Sequence, residues 1–501
     1  MRYLLLLCVL IASLAGADTV LSRVNQVLES GEISVDQATS YLVHSVFDKS
    51  RIPEWVLQGT ASDPCGTAAL DKATSLLDQC SGEVREELLT LLSRPEVGDP
   101  EYLYDSPEGW FVIHWTDTGP NATSEQYVEQ IADAMDWSWQ HQCIDLGFEE
   151  PPSDLGLGGD DCYDIYMLDC EGGTLGWCST AGDPSNPMGY PNSKASHIAI
   201  DIDVGQWGID QMKETCAHEF QHAVQNAYAA VEPSWFKENC SVWMQNECYE
   251  TNHYADYLKS GENCLSRPWY DIRSGAMYHY GASPWPMYME VGYEGTETVR
   301  EVWYQAAIVE GVNILDAIDV VAESYGKSFT EWLADYGTWR WFTDDRACHD
   351  YWEYEESRLW YSGPYVFNYH RFSSYPDSGD HGVYPQDTYG VHWILCDVSD
   401  HPNSWLQFSF DGRDYRDWIV GYIQTDDTYE NSNYSWVEVT EQSAEYDVAV
   451  ATENWTEIVF YIYNNLESSL LVEYEFTVDI AEGMEEEPES GRQTNLVFES
   501  N

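Results

Sequence analysis

Apolar side chains recur at helical spacing through the first hundred residues. An early stripe predicts one helix, and a similar pattern predicts another over 84–92. The early stripe consists of Val20, Val24, Val27 and Leu28. The region 18–99 holds no constellation of catalytic residue types. The sequence therefore leaves open whether this helical leader is a pro-segment or an ordinary subdomain.

Between 109 and 225 the pattern mixes the periods of strands and helices. Strands are predicted over 110–115, 162–168 and 197–203. A helix is predicted over 124–143, opened by a capping pair of Thr123 and Gln126. A long helix follows the third strand after a short linker. The predicted order of elements in this region is therefore β, α, β, β, α.

The second half of the chain changes character once. From 235 to about 341 the pattern is mainly helical, and beyond about 350 it consists of short alternating strands separated by turns. Strands at this spacing predict a β-sandwich, and the acidic last residues predict a disordered tail. The fold class is α+β. The predicted regions are 1–17, 18–99, 100–350, 351–481 and 482–501.

The chain begins with the pattern of an export signal. Met1 and Arg2 are followed by an apolar run over 3–14 and by Ala15-Gly16-Ala17, a cleavage site of the A-x-A type. We therefore expect 1–17 to be a signal peptide and the mature protein to be secreted, either extracellular or periplasmic. No later apolar stretch approaches the length of a membrane-spanning helix, so we expect no membrane insertion.

The charge balance is strongly one-sided. The chain has 87 acidic and 22 basic residues, a formal net charge of −65. Such a charge repels nucleic acid, which excludes that class of partner, and it disfavours anionic membranes. Two acidic pairs, Asp160-Asp161 and Asp344-Asp345, are candidate Ca²⁺ ligands. A solvated acidic surface is the alternative interpretation.

Twelve cysteines remain once Cys8 has left with the signal peptide. An even number in an exported chain predicts disulfides. Position suggests a bridge between Cys216 and Cys240, another between Cys65 and Cys80, and loops closed within the group Cys162, Cys170 and Cys178. The alternative role for Cys65 is a leader thiolate that blocks a metal site, which an oxidising compartment disfavours.

An HExxH motif covers 218–222, as His218-Glu219-Phe220-Gln221-His222. On a helix, His218 and His222 lie one above the other and can bind one metal ion. Glu219 is then placed to hold the water that such a metal activates. Glu219 is the one charged residue in 215–225, and the lack of Gly and Pro there predicts a buried helix. An amphipathic helix with two ordinary histidines is the alternative.

A catalytic zinc ion needs a third protein ligand. The metzincin continuation requires a glycine and a histidine three and six positions after the motif, where this chain has Gln225 and Tyr228, so that class is excluded. A carboxylate must supply the ligand. A second helix, starting after Pro233, carries Glu238 and Glu247.

Periodicity separates these two acids. Nine residues of helix correspond to about 900°, so Glu238 and Glu247 face opposite ways. Glu238 shares its face with Trp235, Val242 and Gln245, a largely apolar stripe that should pack inward. We therefore predict Glu238 as the third ligand and keep Glu247 as the alternative.

This arrangement resembles the gluzincins, zinc metallopeptidases in which a glutamate from the next helix joins HExxH. The match Glu238-x-x-Ser241 is similar to their third-ligand motif, and 110–341 looks like a group of secreted metallopeptidases of this clan that have a β-rich C-terminal region. The resemblance implies a zincin-like catalytic domain with a mixed sheet, an active-site helix and a helical lower half. One departure is Val242, where thermolysin-like enzymes carry an aspartate that orients a zinc-bound histidine.

Two further features follow from the resemblance. The strand over 197–203 corresponds to the edge strand that pairs with the substrate backbone in related enzymes. A tyrosine or histidine of the helical half would stabilise the oxyanion, with Tyr280 the first choice and Tyr278 the second. Aromatic packing is the alternative role for both tyrosines.

The sequence thus predicts a secreted zinc metalloendopeptidase that acts on a protein or peptide. His218, His222 and Glu238 would hold Zn²⁺, and Glu219 would act as general base and then deliver the proton to the leaving amine. The alternative is a non-catalytic secreted binding protein that works through its C-terminal β domain. The zinc content of the purified protein would separate the two.

Overall fold

The computed structural model describes most of the chain after the predicted signal peptide. The described residues are 18–251, 253–259, 261–309, 313–347, 369–380, 387–413, 417–440, 445–466 and 472–482. The predicted signal peptide, and the predicted acidic tail beyond 482, lie outside them. The chain divides into two compact units. One contains residues up to 257 with Gly275–Val321, and the other contains Leu258–Ser274 with residues from 322 onward.

The leader is built from helices. They are α1 (Val20–Glu29), α2 (Val35–Phe47), α3 (Glu54–Leu57), α4 (Thr67–Leu76) and α5 (Gly82–Leu92). The predicted early stripe begins at a cap, because Thr19 accepts the N–H of Ser22. The helix predicted over 84–92 is confirmed as α5. The apolar faces of the leader form one core together with Tyr166 and Trp177, which belong to the sheet that follows.

The sheet of the first unit has five strands in the order β1-β2-β3-β5-β4. They are β1 (Tyr102–Asp105), β2 (Phe111–Trp115), β3 (Tyr163–Leu168), β4 (Gly176–Ser179) and β5 (His197–Asp201). The three central strands are parallel, and β1 and β4 are antiparallel to their neighbours. All residues of β2 and β5 are buried, as expected for parallel strands covered on both faces.

The strand predicted over 197–203 is not at an edge of this sheet. β5 lies between β3 and β4, so the prediction that it forms the substrate-pairing edge is wrong. The edge strand next to β5 is β4, which the hydrophobic pattern did not reveal, and β1 is the opposite edge. Four residues that begin with Gly176 are too few to show an alternation.

The first unit also contains three long helices. They are α6 (Glu125–Trp139), α7 (Ile209–Ala229) and α8 (Ser234–Tyr249). The first is capped by Ser124, which accepts the N–H of Tyr127, so the predicted capping pair at Thr123 is wrong by one position. α7 packs against both α6 and α8. The predicted motif helix and the second helix after Pro233 are therefore confirmed as neighbours.

The remaining helices confirm the mainly helical pattern up to 341. They are α9 (Tyr254–Leu258), α10 (Met277–Tyr280), α11 (Pro284–Gly292), α12 (Thr296–Ile308), α13 (Ile314–Ser324) and α14 (Phe329–Trp341). A reciprocal capping box of Ser328 and Glu331 starts α14. None of the helices in the described residues is long and apolar enough to cross a membrane.

The C-terminal strands form two sheets. The strands are β6 (Tyr369–Phe372), β7 (Asp377–Asp380), β8 (Val391–Asp397), β9 (Ser404–Asp411), β10 (Trp418–Thr425), β11 (Ser432–Val439), β12 (Glu445–Ala451), β13 (Glu457–Asn464) and β14 (Glu475–Glu482). Their orders are β11-β10-β13-β8-β6 and β12-β9-β14-β7. Inward-facing residues of both sheets share one core, in which Phe408 stacks on Phe460 at 3.9 Å between ring centroids. The predicted β-sandwich is present, and the protein is α+β.

The eleven cysteines in the described residues are free thiols, so the disulfides predicted among them are wrong. Cys216 lies 4.0 Å from the sulfur of Met212 instead of bonding to Cys240. Cys162, Cys170 and Cys178 close no loop. An even count of cysteines says nothing about which sulfur atoms the fold brings together.

Candidate metal centre

The HExxH motif lies in the middle of α7, where every side chain from Glu214 to Ala229 is buried. The rings of His218 and His222 lie 4.9 Å apart between centroids, which confirms that the two histidines share one face of the helix. Glu219 is 1 % exposed. Such burial of polar side chains is costly unless each finds a partner or a bound ion.

Glu238 comes from the first turns of α8 and meets both histidines. Its Oε2 atom lies 3.1 Å from Nε2 of His218, and its Oε1 atom lies 3.5 Å from Nε2 of His222. Glu238 is fully buried, whereas Glu247 is half-buried on the same helix. The structure therefore brings together the three residues that the sequence singled out as ligands.

Gln225, one turn after the motif, fixes the orientation of His222. The side-chain nitrogen of Gln225 donates to the backbone oxygen of Lys237 at 3.0 Å, so its Oε1 atom faces Nδ1 of His222, also at 3.0 Å. An oxygen only accepts, which assigns the proton to Nδ1 and leaves the Nε2 lone pair facing Glu238. Val242 stands where related enzymes carry the aspartate that orients a ligand histidine, so the sequence identified no residue for this role. In the structure, Gln225 orients His222.

The surroundings shift the pKa values of Glu238 and Glu219 in opposite directions. Burial alone would raise the pKa of Glu238, but the electrostatic interactions with His222 and His218 outweigh it and hold that pKa well below its usual value. Burial raises the pKa of Glu219, against the influence of the same two histidines. Glu238 is therefore ionised beside the histidines, and Glu219 is the stronger proton acceptor of the two.

Cys65 of the leader is the fourth member of this group. Its Sγ atom lies 3.4 Å from Nε2 of His222 and donates to Oε2 of Glu219 at 3.5 Å. Burial raises the pKa of the thiol well above its usual value, and the two nearby glutamates raise it further. The bridge predicted between Cys65 and Cys80 is absent, because Cys80 faces Thr39 of α2 at 3.3 Å.

We call Cys65, His218, His222 and Glu238 the metal-ligand cluster. One ligand atom from each lies within 4.8 Å of all the others, and all four residues are buried. Three measured separations, 3.1, 3.4 and 3.5 Å, lie near the roughly 3.3–3.8 Å between donors in a tetrahedral zinc site with bonds of about 2.0–2.3 Å; the first and third involve different oxygen atoms of Glu238. Glu238 Oε1 has no hydrogen-bond donor among the described residues, as expected of an atom reserved for a cation. The cluster can hold a metal ion.

Tyr280 lies beside the cluster, with its ring centroid 6.3 Å from that of His218. Its hydroxyl donates to Oδ1 of Asp63 at 2.5 Å and so is used by the leader in this structure. Burial raises the pKa of Asp63 to about 7. Tyr278, the second choice from the sequence, is also buried. The predicted oxyanion role of either tyrosine stays a prediction.

The edge strand β4 passes next to Glu219. A Cβ atom on Gly176 would lie 2.9 Å from Cγ of Glu219 and 3.0 Å from the backbone oxygen of Ala199. Only glycine allows this approach of the strand to the side chain. The edge strand β4 and Glu219 are therefore in close contact.

The candidate calcium ligands are not members of the metal-ligand cluster. Asp160 accepts the N–H of Cys162 at 2.8 Å, and Asp161 accepts from the hydroxyl of Ser153 at 3.3 Å. In the part of the chain that the structure describes, neither acidic pair belongs to a group of three or more ligand-type side chains. Calcium binding stays a prediction.

Comparison with known proteins adds little to this geometry. No protein-family model matches the chain, and no curated protein matches it. Among solved structures, the chain is similar to the pre-peptidase C-terminal domain of a collagenase from Bacillus anthracis, with 8 % identity. That match covers 23 % of this chain and 94 % of the domain, with a TM-score of 0.16. A likeness at this score carries no argument about fold or function.

Proposed function

We propose that this protein is a secreted zinc metalloendopeptidase with a zincin-like catalytic domain of the gluzincin type. The observation that carries the proposal is the convergence of His218, His222 and Glu238, whose ligand atoms lie within 4.8 Å of one another, with Glu219 beside them. Two neutral imidazoles and one carboxylate are the ligand set of several hydrolytic zinc sites.

The residues of the chain divide the chemistry between them. When bound, zinc would polarise the scissile carbonyl and lower the pKa of the attacking water. Glu219 takes the proton from that water and delivers it to the leaving nitrogen, a role that suits its raised pKa and its position next to the ligands. Gln225 keeps Nε2 of His222 directed at the ion. Tyr280 is the candidate donor to the carbonyl oxygen.

The substrate in this proposal is an extended peptide added to β4. An edge strand offers unpaired main-chain groups, which bind a peptide backbone with little dependence on its sequence. Gly176 brings this edge against Glu219, so a peptide on the edge would pass close to the proton acceptor. This arrangement favours cleavage within a chain over removal of its terminal residue.

The test is a matched pair of glutamate variants in the full chain. We expect Glu219→Gln to keep stoichiometric zinc and to lose cleavage of casein by a factor on the order of 10³ or more, because the shape remains while the base is gone. Glu247→Gln, a half-buried glutamate on α8, should keep both metal and cleavage. Metal is measured by mass spectrometry and cleavage by released peptides.

The wild type and both variants are assayed before and after limited proteolysis of the leader. Each assay is repeated with a chelator. Chelation should abolish all cleavage. A wild-type protein with full zinc that cleaves no member of a broad peptide library, before or after this treatment, would overturn the proposal and favour the binding-protein alternative.

A further inference from the structure

Residues 63–67 of the leader run alongside the edge strand β4. The backbone oxygen of Pro64 accepts the N–H of Leu175 at 2.8 Å, and the N–H of Gly66 donates to the oxygen of Gly176 at 2.9 Å. Cys65 and Gly176 form a parallel bridge between these two hydrogen bonds. The 63–67 segment therefore occupies the main-chain groups to which an added peptide would bind.

The side chains of this segment contact the centre at every second position. Asp63 accepts from the hydroxyl of Tyr280, Cys65 lies 3.4 Å from Nε2 of His222, and Thr67 donates to Oε2 of Glu219 at 3.2 Å. Gly66 has helical backbone angles (φ −79°, ψ −13°), so the chain turns there and α4 begins at Thr67. The segment, which ends at this first residue of α4, meets the candidate oxyanion donor, the ligands and the candidate general base.

Other contacts hold the segment in this position. Thr67 also accepts the N–H of Cys178 at 2.8 Å. A Cβ on Gly66 would lie only 3.0–3.1 Å from Val46 and Trp177, so the close approach requires glycine. In the following helix, Asp71 pairs with the buried ammonium group of Lys237 at 2.7 Å, next to the ligand on α8. The contact is built from several independent elements of the fold.

We propose that the 63–67 segment is an internal inhibitor, in which the Cys65 thiolate binds the metal ion and the segment covers the peptide-binding edge. The inference rests on the proposed peptidase function. Catalytic zinc sites keep one coordination position open, whereas this cluster supplies four protein ligands. Binding releases the thiol proton to solvent. Activation breaks the metal–sulfur bond, the sulfur takes up a proton, and the fourth position opens.

The first measurement needs no activity. Zinc K-edge X-ray absorption of the full-length protein should show one sulfur at about 2.3 Å in the zinc shell. Cys65→Ser should lose this sulfur while it keeps stoichiometric zinc through the other three ligands. Cys80→Ser is the matched control, because Cys80 is a leader thiol that faces Thr39, and it should keep the sulfur.

The second measurement is peptide cleavage by the same three zinc-loaded proteins. The metal–sulfur bond anchors a segment that is tied within the chain and so acts at high effective concentration, and removal of that bond should speed cleavage at least about tenfold. We expect that gain in Cys65→Ser and wild-type rates in Cys80→Ser. Circular dichroism of each variant checks that the fold is retained.

The outcomes separate this inference from the proposed function. A wild-type spectrum without sulfur at full zinc loading overturns the inference, whether or not the variants fold. A sulfur in the shell with equal cleavage rates for wild type and Cys65→Ser overturns inhibition and makes Cys65 a permanent ligand. A sulfur in the shell with no cleavage by any variant overturns both the peptidase function and the inhibition, while the cysteine ligation stands.

Discussion

The helix α7 and the strand β9 bury their residues in opposite ways. Along β9, burial alternates, and its inward positions Leu406, Phe408 and Phe410 are all apolar. Along α7 the buried run from 214 to 229 includes two histidines, two glutamates and several amides. A buried apolar side chain stabilises the fold wherever it packs, but a buried polar one needs a partner. The first unit thus holds the buried polar side chains that could bind a metal ion, whereas the inward positions of β9 in the β-sandwich are apolar.

The same contrast appears in how the groups are satisfied. Phe408 and Phe460 have apolar side chains that stack on each other, so neither side chain needs a hydrogen-bond partner. Glu238 needs two histidines and leaves one oxygen without a hydrogen-bond donor in the described residues. A buried polar cluster of this kind is destabilising without a bound ion, so its presence supports the proposed metal binding and is no sign of added stability.

The largest expected effect is on metal binding. Replacement of Glu238 by Ala in the Cys65→Ser background leaves only the two histidines, and we expect loss of stoichiometric zinc after dialysis. Glu247→Ala in the same background should keep its zinc, because that residue lies on the other side of α8. Metal analysis of both variants checks this. A protein with both Cys65→Ser and Glu238→Ala that keeps full zinc would contradict the proposed ligand set, and the polar burial around α7 would then not be explained by metal binding.

The matching change in the sandwich is Phe408→Ala. It should lower the free energy of unfolding of the β unit by about 3–5 kcal/mol, through lost burial and the cavity left behind. Zinc content should not change. Ser409→Ala, on the exposed face of the same strand, should cost less than about 0.5 kcal/mol. Urea unfolding followed by circular dichroism gives both values, and a loss of zinc in Phe408→Ala would break the separation of roles.

A buried carboxyl group of the first unit should make stability depend on pH. Burial raises the pKa of Glu232, between α7 and α8, from 4.5 to about 7. The folded chain then keeps a proton that the unfolded chain has lost between these values, so the stabilisation is complete below about pH 4.5 and is lost as the pH rises through 7. Glu232→Gln cannot ionise and lacks this loss.

The stability of wild type relative to Glu232→Gln should therefore fall between pH 5 and pH 8, by up to roughly 3 kcal/mol. Urea unfolding at the two pH values measures it. Parallel pH profiles for the two proteins would contradict this prediction, because they would show that folding does not raise the pKa of Glu232.

The smallest effect concerns two glutamines on α7. Gln225 holds Nδ1 of His222, so Gln225→Met should weaken zinc binding about 10–100-fold. Gln221 is equally buried, but its amide atoms have no hydrogen-bond partner among the described residues. Gln221→Met should leave zinc affinity unchanged and should not destabilise the fold. Competition with a chelator of known affinity measures both, and equal affinities would remove Gln225 from the site.

Local sequence determined a large part of the molecule. The HExxH spacing, the opposite faces of Glu238 and Glu247, and the strands of the sandwich all follow from periods of 3.6 and 2 within one element. These predictions required only that each element keep its regular geometry. The errors at Thr123 and in strand ends are of one to a few residues, the usual range for element boundaries.

Only the tertiary structure decided what surrounds the motif. The edge position of β4, the hold of Gln225 on His222 and the approach of Cys65, 154 residues before Glu219, depend on how separate elements pack. The sequence predicted disulfides from a count of cysteines, and it set aside the blocking thiolate because of the compartment. Neither argument uses the distance between these side chains in the folded protein. Pairing between remote segments is set by the packing of the whole core, which no local period records.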